Sequence, residues 1–120
     1  MNWIKKNFAG QPNSPIFPYG NVELIEDVIT YHFSNDKLQQ VGISDLTEVH
    51  VLTTGDGPFI EDVFFMLIGG SMEQSFTVPH GASGIENLLE LLQSLPRFDN
   101  EKLIDAMKCT SNNRFVVWKK

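Results

Sequence analysis

The spacing of the apolar residues changes at Pro79, and this change constrains the fold more than any other feature of the sequence. Before Pro79, short segments with apolar and polar residues in alternation are separated by turn residues, a pattern typical of β-strands. After Pro79, apolar residues recur at the three- and four-residue spacing of an amphipathic helix. Strands followed by helices predict the α+β class.

Six segments before Pro79 are predicted to be strands, because they are rich in β-branched and aromatic residues and are bounded by turn residues. They span residues 22–25, 28–33, 38–43, 48–53, 61–68 and 72–78. The fifth segment is apolar on both of its faces, so we expect both faces to be covered. Gly69 and Gly70 predict a tight turn between the last two strands.

Two helices are predicted after Pro79. Ser83, followed three residues later by Glu86, matches a capping box and predicts that the first helix begins at Ser83. Asp99 is predicted to cap a shorter second helix, with Phe98 and Leu103 as a hydrophobic staple. Residues 115–118 predict a short final strand or an extended tail packed on the core.

The predicted fold is therefore α+β. It is a curved antiparallel sheet or barrel of about six strands, followed by one amphipathic helix, a short second helix and a short final strand. The element order of residues 22–95 resembles that of the PH-like superfold. A superfold does not specify a function, so the resemblance implies an architecture alone.

The length of 120 residues predicts one domain, which we assign to residues 22–120. Residues 1–21 form an N-terminal arm whose prolines and glycines prevent a long helix or a central strand. The arm also carries large apolar side chains, so we expect it to pack on the domain; the alternative is a detachable docking arm.

Three strings of the chain are similar to a set of small bacterial hypothetical proteins. They are residues 57–65, 88–101 and 114–118. The resemblance covers about half of the chain and implies a bacterial, stand-alone protein of the cytoplasm. It implies no activity, and it carries no site residues to this sequence.

Charge excludes several classes of partner. The net charge is −6, and between Asn21 and Met107 fifteen acidic residues face only three basic ones, a local balance of −12. Such a body repels phosphate backbones and anionic lipids, so neither a nucleic acid nor a membrane is expected as a partner. The longest apolar run has six residues, too few to span a bilayer.

The sequence lacks the patterns that carry catalysis or metal binding. Ser83 stands in a near match to the G-x-S-x-G motif, but Ile85 replaces the last glycine. His32, His50 and His80 lack the spacing of metal ligands. Cys109 lies near a predicted helix C-terminus, which disfavours a thiolate. We expect no catalytic residue, no metal and no cofactor.

The candidate binding residues lie in loops, at strand ends and near the C-terminus. They are Asp56 in a contact loop, the aromatic residues Phe59 and Trp118, the acidic residues Glu61 and Asp62, and His80 as a single acid/base group. A second acidic group, Glu23, Glu26 and Asp27, is interpreted as a solvated rim.

These observations favour a non-catalytic protein-interaction module whose acidic surface neutralises a basic partner, as immunity proteins of toxin systems do. A small-molecule-binding domain or minor enzyme is the alternative; it would use the mouth of the sheet and polar contacts from His80 or Asp56. Self-association through the arm or through a sheet edge is a third hypothesis.

Overall fold

The computed structural model describes residues 19–55 and 63–120, and the fold is given for these ranges. Six strands come first, namely β1 (Asn21–Ile25), β2 (Val28–Ser34), β3 (Lys37–Gly42), β4 (Glu48–Thr53), β5 (Val63–Ile68) and β6 (Phe76–Pro79). Two helices and a last strand follow, namely α1 (Ile85–Gln93), α2 (Asn100–Lys108) and β7 (Asn113–Lys119). The predicted α+β class and element order are confirmed. The assignment of residues 1–21 as a packed arm stays a prediction, because residues 1–18 lie outside the described ranges.

The strands form two antiparallel sheets. The first has the order β1-β2-β3, and the second has the order β6-β5-β4-β7. The final strand therefore joins the second sheet at its edge, beside β4, which confirms a strand and not a loose tail. Within the described ranges the sheets stay open and do not close into a barrel.

One hydrophobic core joins the two sheets and the helices. Alternate residues of β4 and β5 face it, among them Val49, Val51, Phe65 and Leu67, which are at most 1% exposed. Helix α1 contributes Ile85, Leu88 and Leu92 to the core. Their three- and four-residue spacing is the pattern by which the sequence predicts this helix. The sheets also meet where the Tyr31 ring stacks on the Phe76 ring, with centroids 6.3 Å apart.

The predicted strand over residues 72–78 is shorter than expected. Residues Met72–Gln74 form a 3₁₀ turn, and β6 begins only at Phe76. The Ser75 hydroxyl explains the difference, since it accepts a hydrogen bond from the Gly69 N–H and donates one to the Ser71 carbonyl. These bonds close a loop over residues 69–75, so the predicted tight turn at Gly69 and Gly70 is wrong.

The predicted capping box at Ser83 is also wrong. Helix α1 has Gly84 as its N-cap, with φ of 86°, and no side chain caps it. Ser83 instead joins the edge of β1 through its backbone. Its carbonyl accepts from the Val22 N–H at 2.8 Å, and its N–H donates to the Gly20 carbonyl at 3.0 Å. The start of α1 is thus fixed by β1.

The start of α2 follows the sequence prediction. The Asp99 carboxylate accepts a hydrogen bond from the Lys102 N–H at 3.0 Å, which satisfies one free donor of the first turn.

The expected covering of both faces of β5 is less complete than the sequence predicts. Phe64 and Met66 on the second face of β5 are only half-buried, and Phe33 in β2 is 44% exposed.

Candidate interaction surface

A groove runs between the edge strand β1 and helix α1. Its volume is about 520 Å³, and it is lined by Val22, Glu23, Leu24, Ile25, Asn87, Glu90 and Leu91. Strand β1 forms one wall and helix α1 forms the other. We refer to it as the β1–α1 groove.

A two-residue turn places β1 at this position. Glu26 and Asp27 connect β1 to β2, and both have positive φ, 52° and 65°. Positive φ at both central residues is the requirement of a type I′ turn, whose twist matches that of a hairpin. The turn fixes the register of Ile25, a groove residue, opposite Val28.

The register leaves backbone groups of β1 unpaired at the edge of the sheet. In an antiparallel pair, residues alternate between bonding the neighbouring strand and pointing away from it. The Val22 N–H points away, because it bonds Ser83, so Leu24 two residues later points away as well. The Leu24 N–H and C=O have no partner among the residues that the structure describes.

The groove combines apolar and acidic side chains. Leu24 is 37% exposed and Ile25 is 53% exposed, which is high for large aliphatic residues. Glu23 on β1 and Glu90 on α1 are exposed carboxylates, and no lysine or arginine is among the lining residues. The Glu23 carboxylate lies 2.7 Å from His32 Nε2. This part of the described surface is therefore suited to a partner that carries positively charged side chains next to apolar ones.

Four of the six predicted site residues, Asp56, Phe59, Glu61 and Asp62, lie outside the described ranges, so their role stays a prediction. His80 follows β6 and is half-buried; its backbone N–H donates to the Val63 carbonyl, and its ring lies 6.0 Å from the Phe65 ring.

Trp118, the sixth predicted site residue, lies inside the fold. It is 6% exposed, and its indole N–H donates to the Pro96 carbonyl at 2.9 Å. It anchors β7 to the loop between the helices. His80 and Trp118 belong to opposite edges of the second sheet, so the structure does not bring them together.

The groove was missed by sequence reasoning, although part of its signal is local. The sequence predicts a solvated rim for Glu23, Glu26 and Asp27, and a short strand that includes their neighbours Leu24 and Ile25. The pairing of β1 with the start of α1 joins segments about 60 residues apart in the chain, and nothing in the local pattern announces it.

Two further polar groups are notable. On the opposite face of β4 from the core, the buried His50 ring bonds the Glu48 carboxylate through Nε2 at 2.7 Å, and its Nδ1 has no partner in the described ranges.

Near the end of α2, the hydroxyl of Ser111, with a further contribution from Thr53, lowers the pKa of the Cys109 thiol to about 7. The position near a helix C-terminus predicts an ordinary thiol, and these hydroxyl groups shift the pKa in the opposite direction.

Residues 19–55 and 63–120 contain no group of three or more His, Cys, Asp or Glu side chains that could hold a metal ion. Within the same part of the chain, neither helix is long and apolar enough to cross a membrane.

Comparisons with known proteins add no relative. No protein-family model, no curated protein and no solved structure matches this chain.

Proposed function

We propose that the protein is a non-catalytic interaction module of the cytoplasm that binds a basic protein partner through its acidic surface. The observation that carries the proposal is the β1–α1 groove, where carboxylates stand on both walls beside exposed aliphatic side chains. A partner with lysine or arginine next to apolar residues would complement this surface in charge and in polarity.

The distribution of charge supports the same proposal. The balance of −12 between Asn21 and Met107 gives the domain a negative field, which steers a basic partner towards it and raises the association rate. A module that neutralises a basic toxin, as immunity proteins do, would use such a field. Nucleic acids and anionic membranes would be repelled by it.

The test is a pull-down with the tagged full chain from a lysate of the source cells at low and moderate salt. The matched variants are Glu23→Lys with Glu90→Lys, in the groove, and Glu73→Lys with Asp105→Lys, which lie on exposed surface elsewhere. Both pairs change the net charge equally. We expect a basic partner that dissociates from the native chain as salt rises. The double variant in the groove should lose this partner, and the double variant elsewhere on the surface should retain it.

Equal loss in both pairs would show that only the overall charge matters, and retention in both would exclude the groove. A partner that binds without salt dependence would contradict the acidic-surface proposal, because screening weakens contacts between exposed charges.

A second candidate function is the binding of a small molecule. The groove volume of about 520 Å³ lies in the range of small-molecule sites and favours this alternative. It would be tested by thermal-shift measurements with a metabolite library, repeated on Leu91→Ala, which would remove an apolar wall. A ligand that raises the melting temperature of the native chain but not of the variant would support it.

A further inference from the structure

We propose that the partner binds as an extended segment that adds a strand to the free edge of β1 in the β1–α1 groove. This inference rests on the proposed function and specifies its binding mode, namely recognition of a basic and apolar peptide by β-augmentation. It follows from the backbone of β1, from the side chains around it and from the charge of the groove.

Ser83 lies at the edge of β1. This residue already adds to β1, as an isolated parallel bridge to Asn21, and it uses the outward N–H of Val22. The chain then leaves the edge, because Gly84 turns it into α1. The next outward residue along β1 is Leu24, whose N–H and C=O are unpaired in the described structure. An extended segment there would continue the pairing that Ser83 begins.

The side chains define what the segment would carry. Adjacent residues of a strand point to opposite faces, so Leu24 shares one face of the first sheet with the buried Val22, and Glu23 and Ile25 share the other. On the first face an added strand would meet Leu24 and α1, including Glu90. On the second it would meet Ile25 and Glu23. Each face therefore offers one exposed aliphatic group and one carboxylate.

The occupant follows from this arrangement. Exposed edge strands are normally protected by lysine, proline or a covering segment, and Leu24 has none of these among the described residues. An acidic or neutral peptide would bring no positive charge to the Glu23 and Glu90 carboxylates. A segment that combines lysine or arginine with valine, isoleucine or leucine would pair with both kinds of group, and its main chain would bond Leu24.

The probe is a display library of random 12-residue peptides, selected on the full chain. We expect the enriched peptides to be rich in basic and β-branched residues and to contain no proline in the bound stretch. Their affinity is then measured by fluorescence polarisation. We expect Glu23→Gln with Glu90→Gln to weaken binding at least about tenfold, as loss of two charge-assisted contacts implies.

The discriminating variant is Leu24→Pro, with Leu24→Ala as its control. Proline removes the outward N–H of residue 24 but breaks no bond between β1 and β2, so the edge strand should tolerate it. Both variants lose the leucine side chain, and only one loses the donor. We expect Leu24→Pro to bind at least about fivefold more weakly than Leu24→Ala, as loss of one hydrogen bond implies.

Amide hydrogen exchange provides a readout that does not depend on the proline variant folding. The Leu24 amide should exchange rapidly in the free chain and become protected when the selected peptide binds. A Leu24 amide that is already protected in the free chain would overturn the inference, because residues 1–18 or a second copy would then occupy the edge. Sedimentation of the free chain at two concentrations separates these two occupants.

The two proposals can fail separately. If Leu24→Pro and Leu24→Ala bind equally and the Leu24 amide stays unprotected, strand addition is overturned while binding of a basic partner survives. If the enriched peptides carry no basic residues, or if their binding ignores the Glu23 and Glu90 substitutions, the acidic-surface function fails as well.

Discussion

At Cys109, neighbouring hydroxyl groups lower the pKa of a thiol that lies at the C-terminal end of α2, where the helix dipole disfavours the thiolate. The Cys109 Sγ lies 3.5 Å from the Ser111 hydroxyl, and the side-chain hydrogen bonds of Ser111 and Thr53 lower the thiol pKa to about 7. We expect iodoacetamide to alkylate Cys109 with a rate that rises through a midpoint near pH 7, because the thiolate is the reactive form. Ser111→Ala should move the midpoint upwards, and Ser94→Ala, at the distant end of α1, should leave it unchanged. A native midpoint near 9 would contradict the role of the hydroxyls.

Glu48 gives a second prediction at the scale of single residues. The hydrogen bond from His50 lowers the Glu48 pKa below its ordinary value of 4.5, and Lys119 contributes in the same direction. A depressed pKa in the folded state stabilises the fold above the unfolded-state value, and this stabilisation is lost as pH falls through the folded-state value. Glu48→Gln should therefore lower the free energy of unfolding at pH 7, and the difference from the native chain should shrink below about pH 4.5.

Urea unfolding at pH 7 and in steps down to pH 4 would measure this difference. Glu73→Gln is the matched control, because it removes the same charge from an exposed 3₁₀ turn that has no histidine partner among the described contacts. A difference for Glu48→Gln that grows towards acid pH would contradict the prediction.

At the scale of elements, the junction between β1 and α1 depends on Gly84. Its φ of 86° is unfavourable for other residues, and a Cβ built there would collide with the Val22 carbonyl oxygen, which belongs to the backbone. We expect Gly84→Ala to lower the free energy of unfolding by about 2 kcal/mol or more, combining left-handed strain with a shift of the helix start. Chemical denaturation followed by circular dichroism would measure it.

Two controls separate this junction from the capping box that the sequence suggested. Ser83→Ala should change the free energy of unfolding by less than about 0.5 kcal/mol, whereas a true N-cap serine would cost about 1 kcal/mol. Gly70→Ala should also be mild, because Gly70 has no positive φ and its Cβ would meet only the flexible end of Gln74, at 3.4 Å. A large loss in Ser83→Ala with a small loss in Gly84→Ala would restore the capping box.

For the whole molecule, the sequence was informative wherever structure depends on local periodicity. Alternation located the strands of both sheets, leucine spacing located α1, and Asp99 marked the start of α2. The pattern failed where backbone or distant contacts decide the outcome. Ser75 closes a loop inside an alternating segment, and Ser83 bonds a strand rather than capping its helix. The β1–α1 groove could not be predicted for the same reason, because the local sequence pattern of β1 and that of α1 do not indicate that the two elements are neighbours.

Charge is a property of the whole chain, and it leads to the last prediction. A net charge of −6 makes the compact state repel itself, and this repulsion is screened as the Debye length falls from about 30 Å at 0.01 M salt to about 8 Å at 0.15 M. The two ion pairs of the described residues, Glu23 with His32 and Glu48 with His50, would be weakened by the same screening. These two pairs of the described residues stand against a net charge of −6 spread over the whole chain, so we expect repulsion to dominate. We therefore expect sodium chloride between these concentrations to raise the melting temperature by about 2 °C at pH 8, a gain of about 0.5 kcal/mol. The Glu73→Lys, Asp105→Lys variant has a smaller net charge and should gain less. A melting temperature that falls with salt would mean that attractive pairs outweigh the repulsion of the acidic body.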